Sequence, residues 1–484
     1  TGGLGDVALT VSGATADVTK VVAAGTQSLN LTVAGTSIAT VDASGVTGLG
    51  ESFTLTATAS TADMTVTPSG TTPSDADTDT ANTITTGAGD DALTGTAYID
   101  VLTGGAGADT ITGGGGVDQL NGGAGNDSIT GGAENDAISD GAGDDVVVAG
   151  GGIDTITLGA GSDNIDGGAG NDVITASTNL SSGDTIDGGT GTDSLTATLN
   201  GAGVAPTISG TESISIGFGA STFIDMTNVT DITSLVIDGD TAGAAAQVKN
   251  LITGATVTVT DERSLAGAGN ITTLTVDTAA DATLGIKIAA SENAATDAAT
   301  EITGITVTDA ASVAITNVGG GVDNVLDHQI TGNIVLDDVD TTSLSLTSSA
   351  YGALDFVAND VTGTSELKTF TVSAAASGDI TLDKIIDIEE LQTISVKAAG
   401  ASSDVNLGIL GGTTPSTALS SMELIATAGG TIDIDAVTGS NANMGTFKAT
   451  ADGANSSVIP TGAVTTGDGA ITTVTLAASD RGNV

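Results

Sequence analysis

An aspartate recurs at every ninth residue from Asp91 to Asp172, and no other feature constrains the fold of this chain as strongly. Two residues after each aspartate comes an aliphatic residue, and glycines precede most of the aspartates, as in the segment 104–109. Glycine permits positive φ and a close approach of neighbouring backbones, so part of each nonapeptide can make a tight turn and the rest a minimal strand. The period therefore predicts a parallel β-solenoid in which two nonapeptides complete one coil and the aliphatic residues fill the core.

The aspartates of this repeat are predicted metal ligands, because the predicted coils place them in stacks. Strands of neighbouring coils lie about 4.8 Å apart. At an effective dielectric of about 20, two carboxylates at such a distance repel each other by about 3.5 kcal/mol. One register covers residues 86–175, and a second register follows an interruption at residues 176–178. Together they carry Asp91, Asp100, Asp109, Asp118, Asp127, Asp136, Asp145, Asp154, Asp163, Asp172, Asp184 and Asp193.

A divalent cation between the coils would reverse this repulsion, and calcium fits the donors best. Calcium takes roughly six to eight oxygen ligands in loose geometry, whereas magnesium demands a tighter octahedron. Zinc prefers histidine or cysteine, which the repeats lack. A Rossmann or Walker glycine loop occurs once, before a helix, and a flexible linker would not keep aspartate and aliphatic residues in register. The repeats therefore predict several calcium ions, whose binding supplies folding free energy.

Over residues 86–196 the repeats resemble the G-G-x-G-x-D-x-U-x nonapeptides of the RTX, or repeat-in-toxin, family of secreted bacterial proteins. The resemblance implies a parallel β-roll with calcium between successive coils. In the family, carbonyls at positions 2 and 4 and the aspartate of one coil act with carbonyls at positions 1 and 3 and the aspartate of the next. Carried over, the pattern implies one site formed by Gly105, Gly107 and Asp109 with Gly122, Ala124 and Asp127, and another formed by Gly114, Gly116 and Asp118 with Gly131, Ala133 and Asp136.

Several repeats depart from this pattern. The repeat of Asp100 lacks two of the glycines, and the segment 179–184 is degenerate. Glu134 replaces the glycine at position 4 of the repeat of Asp136, and Asp140 replaces the glycine at position 1 of the next repeat. We expect the calcium sites at these repeats to be distorted or empty.

The segments on either side of the roll are β-rich in character, and the predicted fold class is all-β. Residues 1–66 alternate apolar residues with Thr and Ser, which is typical of strands. Residues 67–85 contain two prolines and many polar residues and form a predicted linker. The roll at 86–196 then leads into a long region, 197–484, for which we predict an irregular β-solenoid or stacked β-sheets, with division into two or more subdomains left open.

A recurring phrase supports the solenoid prediction for this last region. The phrase has apolar residues at alternate positions and occurs at 232–237, 271–276, 302–307, 367–372, 391–396 and 471–476. Most of its spacings fall in the range of roughly 20–40 residues that is typical of solenoid coils. We also predict a few short helices, at 242–252 and 289–300.

The charge of the chain limits its partners. The chain has 9 Lys and Arg against 59 Asp and Glu, for a net charge of −50. Such a chain repels nucleic acid and anionic lipid surfaces and attracts cations. No apolar run approaches the roughly 18 residues needed to span a bilayer. We therefore predict no nucleic-acid partner and no membrane insertion.

Catalytic chemistry has little support in the sequence. The chain has no cysteine and no motif such as G-x-S-x-G or H-E-x-x-H. Its single histidine, His328, follows Asp327, and we interpret it as a surface or packing residue. We predict that the chain is not an enzyme.

Acidic clusters outside the repeats are weaker candidates for metal binding. The segment 75–79 begins like an EF-hand loop but has Thr80 and Thr86 where such a loop needs Gly and Glu. A single calcium at this joint stays an open alternative. The clusters at 238–240 and 337–340 are interpreted as solvated turns.

The long Thr-, Ala-, Gly- and Val-rich flanks resemble those of RTX-type surface-layer proteins of the Caulobacter kind. The resemblance implies a structural protein that leaves the cell unfolded through a type I secretion channel and forms a calcium-dependent two-dimensional lattice on the cell surface. Its partners would be further copies of itself and, through a region outside this chain, lipopolysaccharide. Two alternatives stay open: a calcium-stiffened RTX adhesin, and the secretion module of an exported hydrolase.

Overall fold

The regular elements of the described residues are all β-strands, as the sequence predicts for the class of fold. The computed structural model describes residues 7–11, 19–25, 29–34, 38–46, 53–58, 60–68, 82–238, 244–252, 254–261, 271–290, 300–318, 328–336, 341–349, 353–362, 366–385, 390–400, 403–410, 419–438, 446–460, 464–465 and 473–479. None of them forms a helix of the length and apolarity that crossing a bilayer takes.

These strands belong to two compact units. The first unit comprises Thr1–Thr198, Val204–Ile214 and Asn228–Ile232, and the second comprises Leu199–Gly203, Ser215–Thr227 and Thr233–Val484. The strands up to residue 209 are β1 (Val7–Val11), β2 (Lys20–Gly25), β3 (Leu29–Val33), β4 (Thr40–Val46), β5 (Phe53–Thr56), β6 (Thr65–Thr67), β7 (Asn82–Thr85), β8 (Ala92–Thr94), β9 (Asp100–Ala106), β10 (Thr110–Thr112), β11 (Gln119–Ala124), β12 (Ser128–Gly132), β13 (Ala137–Ala142), β14 (Val146–Gly151), β15 (Thr155–Thr157), β16 (Asn164–Ala169), β17 (Val173–Ser177), β18 (Thr185–Asp187), β19 (Ser194–Leu199) and β20 (Thr207–Ser209). The later strands are β21 (Ser213–Phe218), β22 (Thr222–Asp225), β23 (Ser234–Asp238), β24 (Ala244–Leu251), β25 (Thr256–Asp261), β26 (Ile271–Ala290), β27 (Thr300–Val318), β28 (His328–Leu336), β29 (Ser343–Ser349), β30 (Ala353–Thr362), β31 (Thr369–Ala375), β32 (Asp379–Ile385), β33 (Thr393–Ala399), β34 (Asp404–Leu410), β35 (Ser421–Thr427), β36 (Thr431–Thr438), β37 (Thr446–Asp452), β38 (Ser457–Pro460), β39 (Val464–Thr465) and β40 (Thr473–Ser479).

The nonapeptide repeats of the first unit form a roll of two parallel sheets. Odd-numbered strands pair in one sheet and even-numbered strands in the other, so each coil contributes one strand to each. Ile111 pairs with Leu93 in the preceding coil and with Ile129 in the following one. Because side chains alternate across a strand, the aliphatic residue points inward while its two neighbours face outward. Each repeat therefore buries at least one aliphatic residue in a thin core.

The strands that precede the repeats stack on the same two sheets. β5 pairs with β7, β7 pairs with β9, and β6 pairs with β8, all in parallel. The linker predicted over 67–85 is therefore wrong for Asn82–Thr85, which form β7, while residues 69–81 lie outside the described residues. These four residues already follow the repeat, since Asn82 occupies the aspartate position and Ile84 the buried aliphatic position. The first unit thus begins its coils before the first aspartate.

The second unit is also built of parallel strands, but its strands are longer and its core is thicker. β31, β33, β35, β37 and β40 pair successively in register. In β31, β33 and β35 three side chains of each strand point inward, in rows such as Val372, Val396 and Leu424. The recurring phrases at 367–372 and 391–396 thus lie in one stack, as the solenoid prediction requires.

One predicted helix is replaced by a strand. Residues 244–251 form β24, which pairs with β22 and β26, so the helix predicted over 242–252 is wrong. Alanine favours helices in isolation, but Ala244, Ala246 and Val248 all point inward at a period of two, which suits a strand. Of the second predicted helix, 289–300, residues 291–299 lie outside the described residues.

Candidate metal centre

The repeat aspartates lie in two stacks inside the turns of the roll. Every one of them is at most 3% exposed. One stack consists of Asp91, Asp109, Asp127, Asp145, Asp163 and Asp184, and the other of Asp100, Asp118, Asp136, Asp154, Asp172 and Asp193. The structure therefore brings together all twelve aspartates that the sequence nominates.

One oxygen of each carboxylate links two coils. The backbone N–H of Asp91 donates to Oδ1 of Asp109 at 2.7 Å, and the backbone N–H of Asp109 donates to Oδ1 of Asp127 at 2.8 Å. The same bond recurs along both stacks, with N to O distances of 2.7–3.1 Å. It survives the interruption at 176–178, where it joins Asp163 to Asp184. These backbone bonds fix the orientation of the carboxylates.

The other carboxylate oxygen, Oδ2, is buried without a hydrogen-bond donor in most of these repeats. This holds for Asp91, Asp109, Asp118, Asp127, Asp136, Asp145, Asp154, Asp163, Asp172 and Asp193. A buried polar atom that lacks a partner costs free energy, and an anionic oxygen costs more than a neutral one. A row of such oxygens is the arrangement that bound cations would satisfy.

Two repeats that depart from the family pattern differ at this same oxygen. Thr96 donates to Oδ2 of Asp100 from its backbone N at 2.6 Å and from its hydroxyl at 2.8 Å. In the degenerate repeat the backbone N of Ser181 donates to Oδ2 of Asp184 at 2.7 Å. At these positions protein donors stand where the other repeats leave the oxygen free.

Backbone carbonyls face the same gaps between coils. A side chain at Gly104 would collide with Oδ2 of Asp109 and with the carbonyl oxygen of Gly122 in the next coil. Ala124 O accepts a hydrogen bond from the N–H of Gly107 at 2.7 Å across the gap. The carbonyl of Gly122 thus faces back toward the coil of Asp109. The carbonyls of Gly105 and Gly107 face forward into the same gap, where side chains at Gly123 and Gly125 would collide with them. The oxygens assigned from the family pattern to the first site therefore converge on one gap.

The second site assigned from the pattern is altered by Glu134. The carbonyl of Gly131 and Oδ2 of Asp118 both approach Gly113, as in the first site. However, the backbone N of Gly116 donates to Oε2 of Glu134 at 3.2 Å. The equivalent N–H in the first site donates to a backbone carbonyl. An additional carboxylate thus enters the rim of this gap.

Burial raises the pKa of most of these carboxyls above the usual value. Desolvation is the largest cause throughout, and neighbouring aspartates add to it. The pKa of Asp118 rises to about 8 and that of Asp127 to about 7. The pKa values of Asp109, Asp136, Asp154, Asp163 and Asp172 rise to about 6. Hydrogen bonds from the preceding coil oppose the rise but do not cancel it. Without a cation, Asp118 and Asp127 therefore retain protons near neutral pH, whereas the carboxyls with a pKa of about 6 are largely ionised there.

Three residues that the sequence did not nominate extend or supplement the stacks. The side-chain amide of Asn82 donates to Oδ1 of Asp100 at 2.6 Å, and Oε2 of Glu212 accepts from the backbone N of Asp193 at 2.8 Å. Asn82 stands nine residues before Asp91, and Glu212 stands two residues before buried Ile214, so the register could have found both. The third is Asp140, whose buried carboxylate forms a cluster with Asp145 and Asp163.

The other candidates from the sequence do not join this site within the described residues. His328 begins β28, and its side chain lies outside the described part of the chain. Asp238 ends β23, while the rest of that cluster and the clusters at 75–79 and 337–340 lie outside it as well.

The comparison with protein families gives one match, to the RTX calcium-binding nonapeptide repeat. The matched segments are residues 78–97, 85–120, 94–129, 113–147, 121–156, 139–174 and 181–198. No curated protein and no solved structure matches the chain. The repeats are therefore RTX repeats, and the cofactor is calcium, with several ions per chain. Bound calcium supplies the positive charge that the free Oδ2 oxygens require, and the backbone bonds to Oδ1 hold those oxygens in place.

Proposed function

We propose that this protein is the structural subunit of a bacterial surface layer, in which calcium folds the roll after export and then allows subunits to associate. Proteins with RTX repeats are typically secreted and extracellular. The observation that carries the proposal is the presence, in one chain, of a roll with free buried carboxylates and a second β-unit with a thick core. The roll responds to calcium, and the second unit offers long regular surfaces for contact.

Calcium would control the state of the chain by mass action. A ligand that binds only the folded state stabilises it in proportion to the logarithm of its concentration over Kd. At the low free calcium of a cytosol the roll stays unfolded and fits a type I secretion channel. Outside the cell, calcium neutralises the stacks and the roll folds.

Calcium would also permit contact between copies. At a net charge of −50 the subunits repel one another, and cations at the contact reduce this repulsion. We expect contact with lipopolysaccharide through a region outside this chain. The same charge argues against a nucleic-acid partner, and we propose no catalytic role.

Electron microscopy of the purified full chain tests this proposal. Ordered sheets are expected at about 1 mM calcium, a concentration at which extracellular calcium modules are loaded. The sheets should dissolve when EGTA is added and should not form with magnesium alone. Sheets that persist in excess EGTA would contradict the proposal. A protein that stays monomeric in calcium, with a folded roll, would favour the adhesin.

A further inference from the structure

Asp140 occupies a position in its repeat that other repeats give to glycine. It stands at position 1, the place of Gly104, Gly113 and Gly122. A side chain built at each of these glycines would meet Oδ2 of the aspartate of the same repeat. The structure directs the side chain of Asp140 into this space, where the residue is 0% exposed. The substitution thus adds a carboxylate to a gap that already has two.

The carboxylate of Asp140 is held by the backbone and leaves one oxygen free. Its Oδ1 accepts hydrogen bonds from the N–H of Gly141 and the N–H of Gly159, both at 2.6 Å. Gly159 belongs to the same repeat as Asp163, so these two bonds tie Asp140 to both coils of the gap. Its Oδ2 is buried and receives no hydrogen bond.

The free oxygen lies among others of its kind. Asp140, Asp145 and Asp163 each offer a carboxylate oxygen, and these oxygens lie within 4.8 Å of one another. Oδ2 of Asp145 and Oδ2 of Asp163 also lack donors. The cluster has only hard oxygen donors, which suit calcium and not zinc.

We propose that Asp140 turns the gap between the coils of Asp145 and Asp163 into a three-carboxylate calcium site, which binds its ion more tightly than the two-carboxylate gaps and fills first. Calcium affinity depends on the number of charged ligands and on the rigidity of the site. Asp140 raises the number of charged ligands to three, and its two hydrogen bonds from the backbone make the site rigid. The expectation that this departure from the repeat weakens the site is reversed: the roll has a preferred place for its first ion.

Burial and the neighbouring charges agree with this assignment. Desolvation, with smaller contributions from Asp163 and Asp145, raises the pKa of Asp140 to about 7. Three like charges in one buried gap are unfavourable until a cation neutralises them.

The test is an equilibrium calcium-binding curve of the full chain. Bound calcium per chain is measured by mass spectrometry of the metal after dialysis against EGTA-buffered calcium. The wild-type curve should show a first ion bound at a free calcium about 10- to 100-fold below that needed for the rest. Asp140→Asn and Asp140→Gly should both abolish this first step.

The two variants separate a ligand from a structural acceptor. Asparagine keeps an oxygen that can accept from Gly141 and Gly159, and glycine restores the residue found at this position in regular repeats. A first step that survives in Asp140→Asn would show that only the hydrogen bonds matter, and it would overturn the proposal. A wild-type curve without a separate first step would overturn it as well.

Asp144→Asn is the matched control. Asp144 is exposed, and its carboxylate accepts from the backbone N of Ser162 at 3.0 Å. This variant removes the same charge from the same repeat and should keep the first step. Circular dichroism at saturating calcium establishes that each variant folds. If Asp140→Asn does not fold, the curve of Asp140→Gly decides whether the first step depends on Asp140.

Discussion

Each stacked aspartate divides its two oxygens between the fold and the cation. Oδ1 accepts a backbone hydrogen bond from the preceding coil, as between Asp118 and Asp136 at 2.8 Å. Oδ2 is left for calcium, except where Thr96 or Ser181 donates to it. The same residue thus sets the coil register and provides the ligand. Substitution by asparagine would keep the hydrogen bond that sets the coil register and would weaken calcium binding.

At the residue scale, the raised pKa values predict how pH affects the roll without calcium. The folded-state pKa of Asp118 is about 8 and that of Asp127 about 7, whereas the ordinary value is 3.8. Protonation therefore favours the folded state. The stabilisation is complete below the unfolded-state pKa and is lost as pH rises through about 6 to 8. In EDTA, the roll should therefore be more folded at pH 5 than at pH 8, where the removal of calcium is expected to unfold it.

Circular dichroism in EDTA at a series of pH values measures the folded fraction of the roll. Calcium should reverse the trend, because it binds the ionised carboxylates and competes with protons. A folded fraction in EDTA that rises steadily from pH 5 to pH 8 would contradict the assignment of buried, proton-bearing aspartates.

At the scale of the element, the strands of the roll and those of the second unit differ in how much apolar surface they bury. A roll strand such as β12 has a single inward aliphatic residue, Ile129, whereas β33 buries Ile394, Val396 and Ala398. Burying an aliphatic side chain fully contributes about 1.5–3 kcal/mol. The burial of one aliphatic residue per roll strand therefore offsets little of the repulsion between the carboxylates. Calcium must supply the remaining free energy of folding.

The same contrast predicts the effect of a core substitution in the roll. Ile129 is 0% exposed and pairs with Ile111 and Val147 in the neighbouring coils. Ile129→Ala at saturating calcium should lower the free energy of unfolding by about 2–5 kcal/mol. Val148→Ala is the control, because Val148 is 40% exposed on the outer face of β14 and should change stability by less than about 0.5 kcal/mol.

Urea unfolding followed by circular dichroism measures both variants. Equal losses in the two variants would mean that the inward aliphatic row does not form the core of the roll. The steepness of the unfolding curve also reports how cooperatively the coils unfold, since each coil contacts only its neighbours.

At the scale of the whole molecule, the two compact units have different dependence on calcium. The first unit contains the stacked carboxylates. In the second unit, the buried polar residues that the structure describes are uncharged, such as Thr278, Ser348 and Ser456. The core of the second unit therefore needs no cation to neutralise it. Calcium should therefore control the folding of the first unit and not that of the second.

Removal of calcium should therefore unfold the roll and leave the second unit folded. Hydrogen exchange of the full chain at neutral pH, with calcium and with EGTA, measures this directly. In EGTA, protection should be lost from peptides within 100–193 and kept in peptides within 369–400 and 421–438. Simultaneous loss in both units would mean that the second unit depends on the roll for its stability.

Much of the first unit could be predicted from its period. The ninefold spacing specifies the coil, the aliphatic core and the ligand chemistry, because stacking makes every repeat face an identical neighbour. Asn82 and Glu212 were missed because each lies just outside the run of aspartates. The helix prediction at 242–252 is wrong because a high alanine content does not distinguish a helix from a buried strand. The pairing of β24 with β22 and β26 decides for the strand.

The sequence by itself determined an all-β fold, a roll of nonapeptides and calcium as its ligand, since these depend on local spacing that repeats along the chain. Only the tertiary structure decided which oxygen of each aspartate is free, and that Asp140 joins Asp145 and Asp163. These properties depend on which backbone groups face a carboxylate across a gap between coils. Most of the residues concerned, such as Asp140 and Asp163, are separated by a full coil or more, and only the stacked fold brings them together.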